Sequence, residues 1–104
     1  MNRRLIVRPE AESDITDTAV WYDHRELGLG LKFVSEVQSA IARALDQPES
    51  FTRVRHNPTV RRVLTRQFPY RVFFIVRSDA IVVFAVLHVA RYDRVWKQRS
   101  AYTD

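Results

Sequence analysis

Cysteine is absent from the 104-residue chain, and glycine occurs only at positions 28 and 30. A disulfide scaffold, a thiol nucleophile and a cysteine-based zinc site are therefore excluded. A glycine-rich phosphate loop and a G-x-S-x-G nucleophile elbow are excluded too. The longest apolar run, around Ile81–Leu87, is less than half of the roughly 20 residues that a membrane-spanning helix needs. These absences predict a cytoplasmic protein that uses no cofactor, no metal ion and no membrane.

Acidic residues become scarce in the second half of the chain. Residues 1–52 carry six basic and nine acidic side chains, whereas residues 53–104 carry eleven basic and three acidic ones. Arginine supplies 15 of the 17 basic residues, and its planar donor fork suits phosphate and carboxylate groups. The basic half predicts an anionic partner, either nucleic acid or an acidic protein segment; a merely solvated basic surface is the alternative.

The hydrophobic periodicity predicts a single domain over residues 1–104. Its period is helical in the first half and changes to two in the second half. The predicted elements are a strand at residues 4–8, a helix from Pro9 to about Gly28, a turn at Gly30, a second helix that ends at Pro48, a loop at 49–58, and strands at 59–66, 70–77 and 80–89. The order β-αα-β-β-β indicates an α+β fold, with a helical hairpin packed on a mostly antiparallel four-stranded sheet.

The last two strands are predicted to form a hairpin whose two-residue turn is Ser78–Asp79. Counting back from this turn places Phe73 opposite Phe84, and it places His88 diagonal to Arg71 on the same face. The helical hairpin can cover one face of the sheet. The other face is apolar and rimmed by arginine, which is typical of a partner site. The alternative is that the carboxyl-terminal segment, with Val95 and Trp96, folds back over it.

Residues that could carry chemistry concentrate in the basic half. Arginine can hold phosphates and stabilise a phosphodiester transition state, aromatic rings can stack on unpaired bases, and a histidine or tyrosine can move a proton. A metal-independent nuclease would use Arg62, Arg71, His88, Arg91 and Tyr92. Residues predicted to bind a partner are Arg61, Arg62, Arg66, Arg71, Phe73, Ile75, Val82, Phe84, Arg91, Arg94 and Trp96.

Three of these assignments have structural alternatives. His88 is equally well interpreted as an edge histidine that makes one hydrogen bond. Trp96 is better explained by packing than by binding, because large aromatic side chains are usually buried. The carboxylates of Asp14, Asp17 and Asp23 on the first helix are interpreted as a solvated acidic face.

Several stretches, taken in order, resemble the RelE/ParE superfamily of bacterial toxins. They cover nearly the whole chain: PEAESDI at 9–15, GLGLKF at 28–33, FPYRVFFIV at 68–76, IVVFAVLH at 81–88, and ARYD at 90–93 followed by Trp96. The resemblance implies the toxin of a type II toxin–antitoxin module of the plasmid-stabilisation type. Such a toxin is held inactive in a hetero-oligomer by a small antitoxin encoded beside it, whose extended or helical tail wraps around the toxin.

The superfamily has two main activities, which differ in their residues. RelE-like members cleave messenger RNA in the ribosomal A site, whereas ParE-like members poison DNA gyrase. Of the positions on which RelE-like catalysis relies, Arg71 and Arg91 match the two arginines. Arg62 stands where one lysine is expected and the apolar Leu64 where the other is expected. Trp96–Lys97 lies near the expected tyrosine, and neither residue is a phenol.

The altered catalytic set favours a ParE-like, non-enzymatic inhibitor of DNA gyrase and replication. The alternative is a ribosome-dependent mRNA endonuclease that uses Arg71, Arg91 and His88, because other nucleases of the superfamily use histidine. A second alternative is a degenerate, non-toxic binding module. The antitoxin tail is expected to pack on the second sheet face and to meet its arginines, at Phe73, Ile75, Val82 or Phe84 and at Arg61, Arg62, Arg71 or Arg91.

Overall fold

A helical hairpin lies on one face of a five-stranded sheet, and a third, short helix lies on the other. The computed structural model describes residues 3–55, 57–91 and 94–100. The elements are β1 Arg4–Val7, α1 Pro9–Arg25, α2 Leu29–Asp46, a 3-10 turn Pro48–Ser50, β2 Arg53–Val54, β3 Asn57–Leu64, β4 Tyr70–Val76, β5 Ala80–His88 and α3 Arg94–Ser100. The strand order is β1-β5-β4-β3-β2, with β1 parallel to β5 and the other neighbours antiparallel.

The predicted α+β class is confirmed, but the sheet has one strand more than predicted. The extra strand, β2, lies in the segment predicted as a loop and pairs with β3 beside a register shift. The helix α3 lies where no element is predicted. A strand of two residues and a helix of seven are too short to show a hydrophobic period. None of the helices in the described ranges has the length and hydropathy needed to cross a membrane.

The helical hairpin follows the predicted pattern closely. Pro9 is the first residue of α1, where its missing N–H removes no helical hydrogen bond. On α2 a stripe of apolar side chains at helical spacing faces the sheet and is buried: Phe33, Val37, Ala40, Ile41 and Ala44. The main core lies between this stripe, the inner side of α1 and the helix-facing side of β3, β4 and β5.

Gly28 and Gly30, at the junction of α1 and α2, have different structural roles. Gly28 has φ of +92°, the left-handed conformation that favours glycine. Gly30 does not form the turn as predicted, because it lies inside α2, where an added Cβ would sit 2.9 Å from Asp23 Cγ and closer still to the Ala19 carbonyl oxygen. The Asp23 carboxylate accepts hydrogen bonds from the N–H groups of Gly28 (3.2 Å) and Gly30 (2.8 Å). Asp23 is exposed, as its prediction as a solvated residue requires, and it also caps α2.

We expect Gly30→Ala to destabilise the protein by about 3 kcal/mol, because the new methyl group would force α1 and α2 apart. Gly28→Ala is the matched control, since nothing lies within 4 Å of its added Cβ. Its cost is the left-handed conformation alone, about 1 kcal/mol. Urea unfolding of both variants measures the difference. Equal destabilisation would contradict the close-approach role of Gly30.

A β-bulge at Phe84 changes the register of the β4–β5 hairpin. The predicted turn is confirmed, with the Arg77 N–H donating to the Ala80 carbonyl at 2.8 Å. The predicted pairing holds as far as Phe74 opposite Val83 and then shifts, so that Phe73 lies opposite Ala85. Because a bulge inserts one residue into one strand, the side chains beyond it exchange faces. The predicted face assignments of Ala85, Val86, Leu87 and His88 are therefore reversed.

The second face of the sheet is covered by the chain itself. Trp96 of α3 stacks on Phe73, with ring centroids 5.5 Å apart and an interplanar angle of 16°. Together with Val54 of β2 it closes a second core. The residues expected to receive an antitoxin are only 1–5% exposed: Phe73, Ile75, Val82 and Phe84. The prediction of an open apolar face is wrong, and the alternative, in which the carboxyl-terminal segment folds back, is observed.

An ion pair holds α3 in this position. Strand β1 pairs with β5 only as far as Val7, which lies opposite Val83. The rest of this edge of β5 has no strand neighbour. There, Asp14 of α1 accepts a hydrogen bond from the Val86 N–H at 2.9 Å. Arg99 donates to both Asp14 carboxylate oxygens, at 2.6 and 3.1 Å, and to the Phe84 carbonyl at 3.2 Å. The prediction that Asp14 is merely solvated is wrong.

We expect Asp14→Asn to cost about 2 kcal/mol of stability and to speed amide hydrogen exchange in α3. The variant leaves the Arg99 guanidinium without its carboxylate in a site that is mostly shielded from water. The control is Asp17→Asn, an exposed carboxylate on the same helix, which should change stability by less than about 0.5 kcal/mol. Similar unfolding curves and exchange rates for the two variants would show that the ion pair does not hold α3.

Candidate functional site

Two half-buried arginines lie side by side on the second face of the sheet. Arg62 of β3 is the cross-strand partner of Phe73, and Arg71 of β4 is the partner of Leu64. These pairs are two residues apart along each strand, so both guanidinium groups emerge on the same face. The exposed cations of α3, Arg94 and Lys97, border a shallow cavity on the surface of this helix. The arrangement can bind an anion.

Arg71 has a donor that the fold does not use. Its Nε atom is buried, and it has no hydrogen-bond partner within the described ranges. A guanidinium carries five N–H donors, and buried donors are nearly always paired. The side chain as a whole is half-buried, which makes Arg71 a candidate anion ligand through the part of its guanidinium that solvent reaches.

Other predicted binding residues have structural roles or lie away from Arg62 and Arg71. Arg61 is only 9% exposed, and its guanidinium donates to the carbonyls of Glu49 (3.1 Å) and Phe51 (2.8 Å). These bonds fix the segment before β2 and give Arg61 a structural role. Arg66 is exposed in the loop after β3, where its backbone N–H donates to Glu36 Oε1 at 3.1 Å. Trp96 is buried, as its packing alternative requires.

The structure does not bring the predicted nuclease residues together. The bulge turns His88 to the helix-covered face, where its ring centroid lies 5.3 Å from that of Tyr70. Its Nδ1 accepts a hydrogen bond from the Ala90 N–H at 3.0 Å, which is the single bond of the edge-histidine interpretation. Arg91 is exposed just after β5. Arg71 points to the opposite face from His88, and Tyr92 lies outside the described residues.

An apolar groove that the sequence analysis missed lies beside the edge strand β1. Its volume is about 400 Å³, and Leu5 at its rim is 42% exposed. The outer edge of β1 has no neighbour in the described sheet, and Arg4 and Arg8 are exposed along it. The groove is lined by β1, α1 and α2, mainly through Leu5, Val7, Ile15, Val34, Ile41 and Leu45. The exposed Leu5 in a short strand was the available signal.

Comparison with known protein families shows the family of this chain. A family model described as the ParE toxin of the type II toxin–antitoxin system parDE matches residues 5–92. The chain belongs to this ParE toxin family. The ParE match spans every element from β1 to β5 and ends just before α3, so the helix that covers the second face lies outside it. No curated protein sequence matches the chain significantly.

Solved toxin structures share the ParE-family architecture of this chain. The chromosomal ParDE toxin–antitoxin system from P. aeruginosa superposes with a TM-score of 0.74 at 17% identity, over 83% of this chain and 95% of that one. An E. coli RelE mutant in complex with an antitoxin RelB peptide gives 0.60 at 20% identity, over 94% of each chain. The isolated E. coli RelE toxin gives 0.59 at 16% identity, over 96% and 98%. These likenesses show a shared fold.

Proposed function

We propose that this ParE-family toxin arrests growth by binding DNA gyrase and that it cleaves no RNA itself. The observation that carries the proposal is the bulge at Phe84, which separates His88 from Arg71. Cleavage of RNA without a metal ion requires a base for the 2′-hydroxyl, an acid for the leaving group and cations for the transition state. Around Arg71 the described residues supply the cations, and the neighbouring positions Leu64 and Leu87 supply neither base nor acid.

The RelE-like endonuclease is the alternative that this geometry disfavours. It would need Arg71, Arg91 and His88 around one phosphodiester. His88 is engaged through Nδ1 and packs against Tyr70, on the other side of the sheet from Arg71. A non-toxic binding module is the second alternative, and the same experiment tests it.

We expect the purified toxin to inhibit supercoiling by gyrase and to leave mRNA intact on translating ribosomes. Induced expression should stop growth, and His88→Ala should stop it equally well, because the imidazole takes no part in binding gyrase. In a nuclease the same variant would lose about 100-fold or more in cleavage rate. Cleavage in the A site that is lost in His88→Ala would overturn the proposal. Normal growth on induction would instead favour the non-toxic module.

The toxin's partner in the resting cell is, in this proposal, an antitoxin with an acidic or amphipathic tail. The second sheet face is closed, and the groove beside β1 is an apolar surface that such a tail can reach. A tail that adds a strand to the free edge of β1 would gain main-chain hydrogen bonds and place alternate apolar side chains in the groove. Its acidic residues would meet the exposed Arg8 and the exposed Arg4, which already lies 3.8 Å from the Asp79 carboxylate.

We expect Leu5→Asp to weaken binding of the antitoxin encoded beside the toxin gene by about tenfold or more, since it puts a charge at the rim of an apolar interface. Leu64→Asp is the matched control, because Leu64 is 52% exposed on the opposite face. Isothermal titration measures both affinities, and circular dichroism checks that both variants are folded. If only Leu64→Asp weakens binding, the antitoxin occupies the Arg62–Arg71 side.

A further inference from the structure

A second cavity, of about 460 Å³, lies on the side of α1 that faces away from α2. It takes no part in the anion-binding face or in the groove beside β1. It opens between α1, the start of β4 and the end of β5. We call it the aromatic pocket; it is lined by Asp17, Thr18, Trp21, Tyr22, Tyr70 and His88.

The walls of the aromatic pocket are four rings in a row, each nearly perpendicular to the next. The indole of Trp21 lies 5.0 Å from the Tyr22 ring at 80°. Tyr22 lies 6.3 Å from Tyr70 at 67°, and Tyr70 lies 5.3 Å from His88 at 80°. Successive rings therefore meet edge to face, and all four belong to the lining of the aromatic pocket. Trp21 is 51% exposed, so much of its ring remains available to a ligand.

The charge in the aromatic pocket is negative, although the whole chain carries a net charge of +5. Asp17 is the carboxylate in its wall. Of the three aspartates in the middle of α1, Asp14 is paired with Arg99 and Asp23 caps α2. Asp17 has no hydrogen bond or ion pair within residues 3–55, 57–91 and 94–100. A carboxylate and π-faces attract the same kind of group, a cation.

His88 and Tyr22 supply further polar atoms to the lining of the aromatic pocket. His88 accepts the Ala90 N–H through Nδ1, so this ring nitrogen is not available to a ligand. Burial, with a smaller effect of the neighbouring Tyr70, raises the pKa of Tyr22 above its ordinary value, so its phenol is uncharged at neutral pH. The protein already places one guanidinium on the outer wall, since Arg25 Cζ lies 4.5 Å from the centroid of the Trp21 ring.

We propose that the aromatic pocket binds an organic cation, a guanidinium or alkylammonium group. An anion would be repelled by Asp17 and by the ring faces. A nucleotide is a poor ligand here, because its phosphate would lie against the same carboxylate. The arginines that could bind a phosphate are on the other side of the sheet. The site is independent of gyrase binding and of the antitoxin groove.

The test uses the full-length, ¹⁵N-labelled protein and its two tryptophan indole signals. Methylguanidinium chloride and tetramethylammonium chloride are titrated against sodium chloride of equal ionic strength. We expect a saturable shift of the Trp21 signal in the millimolar range, while the signal of the buried Trp96 stays in place. A Trp21 shift that is linear, or that sodium chloride reproduces, would overturn the proposal.

Matched variants locate the cation. Asp17→Asn should weaken binding by about two- to fivefold, and Asp46→Asn, which removes the same charge at the far end of α2, should leave it unchanged. Trp21→Leu, followed at the Thr18 amide, should weaken binding by about fivefold or more. Equal affinities of the Asp17→Asn variant and the parent would contradict the assignment, provided that circular dichroism shows both folded.

A second ligand distinguishes the two sources of such a cation. The ligand is a blocked Ala-Arg-Ala tripeptide, titrated in the same way as methylguanidinium. Binding about tenfold tighter than methylguanidinium indicates an arginine presented by a protein segment. Equal affinity indicates a free small cation, and both results support the cation chemistry. No saturable shift with either ligand rejects it.

Discussion

The carboxylate of Asp14 joins three parts of the molecule that are far apart in sequence. It accepts the Val86 N–H that the end of β1 leaves without a strand partner, and it holds the guanidinium of Arg99, which in turn caps the Phe84 carbonyl. A sheet edge and a helix are thereby fixed by one side chain of α1. The second core, with Trp96 stacked on Phe73, depends on the helix that this ion pair positions.

The bulge next to that ion pair places the arginines and His88 on opposite faces of the sheet. With regular pairing, His88 would project beside Arg71, and cations and a proton carrier would share one surface. The extra residue at Phe84 sends the imidazole to the aromatic pocket instead. Among the residues that the structure describes, the side of the sheet with Arg71 thus carries arginine and no histidine. The other side carries aromatic rings with a carboxylate.

Closure of the second face changes what a protein partner can reach. The apolar residues of that face form an internal core with α3, and its arginines remain as a rim. The groove beside β1, lined by β1, α1 and α2, stays open to a partner.

Local patterns in the sequence determined the class of the fold and most of its elements. The stripe of α2, Pro9 at the start of α1 and the Ser78–Asp79 turn each have a signal within a few residues, because helical and strand periods depend on neighbouring side chains. The toxin superfamily was also recognisable from ordered stretches along the chain.

Only the tertiary structure decided where the bulge falls, which face α3 covers and on which side His88 lies. These features depend on contacts such as Asp14–Arg99, which spans 85 residues, and on the point where β1 stops. One inserted residue reverses every side chain beyond it, so counting from the turn could not assign the faces. The same limit applies to Arg61, whose two carbonyl acceptors lie in an irregular segment without any sequence period.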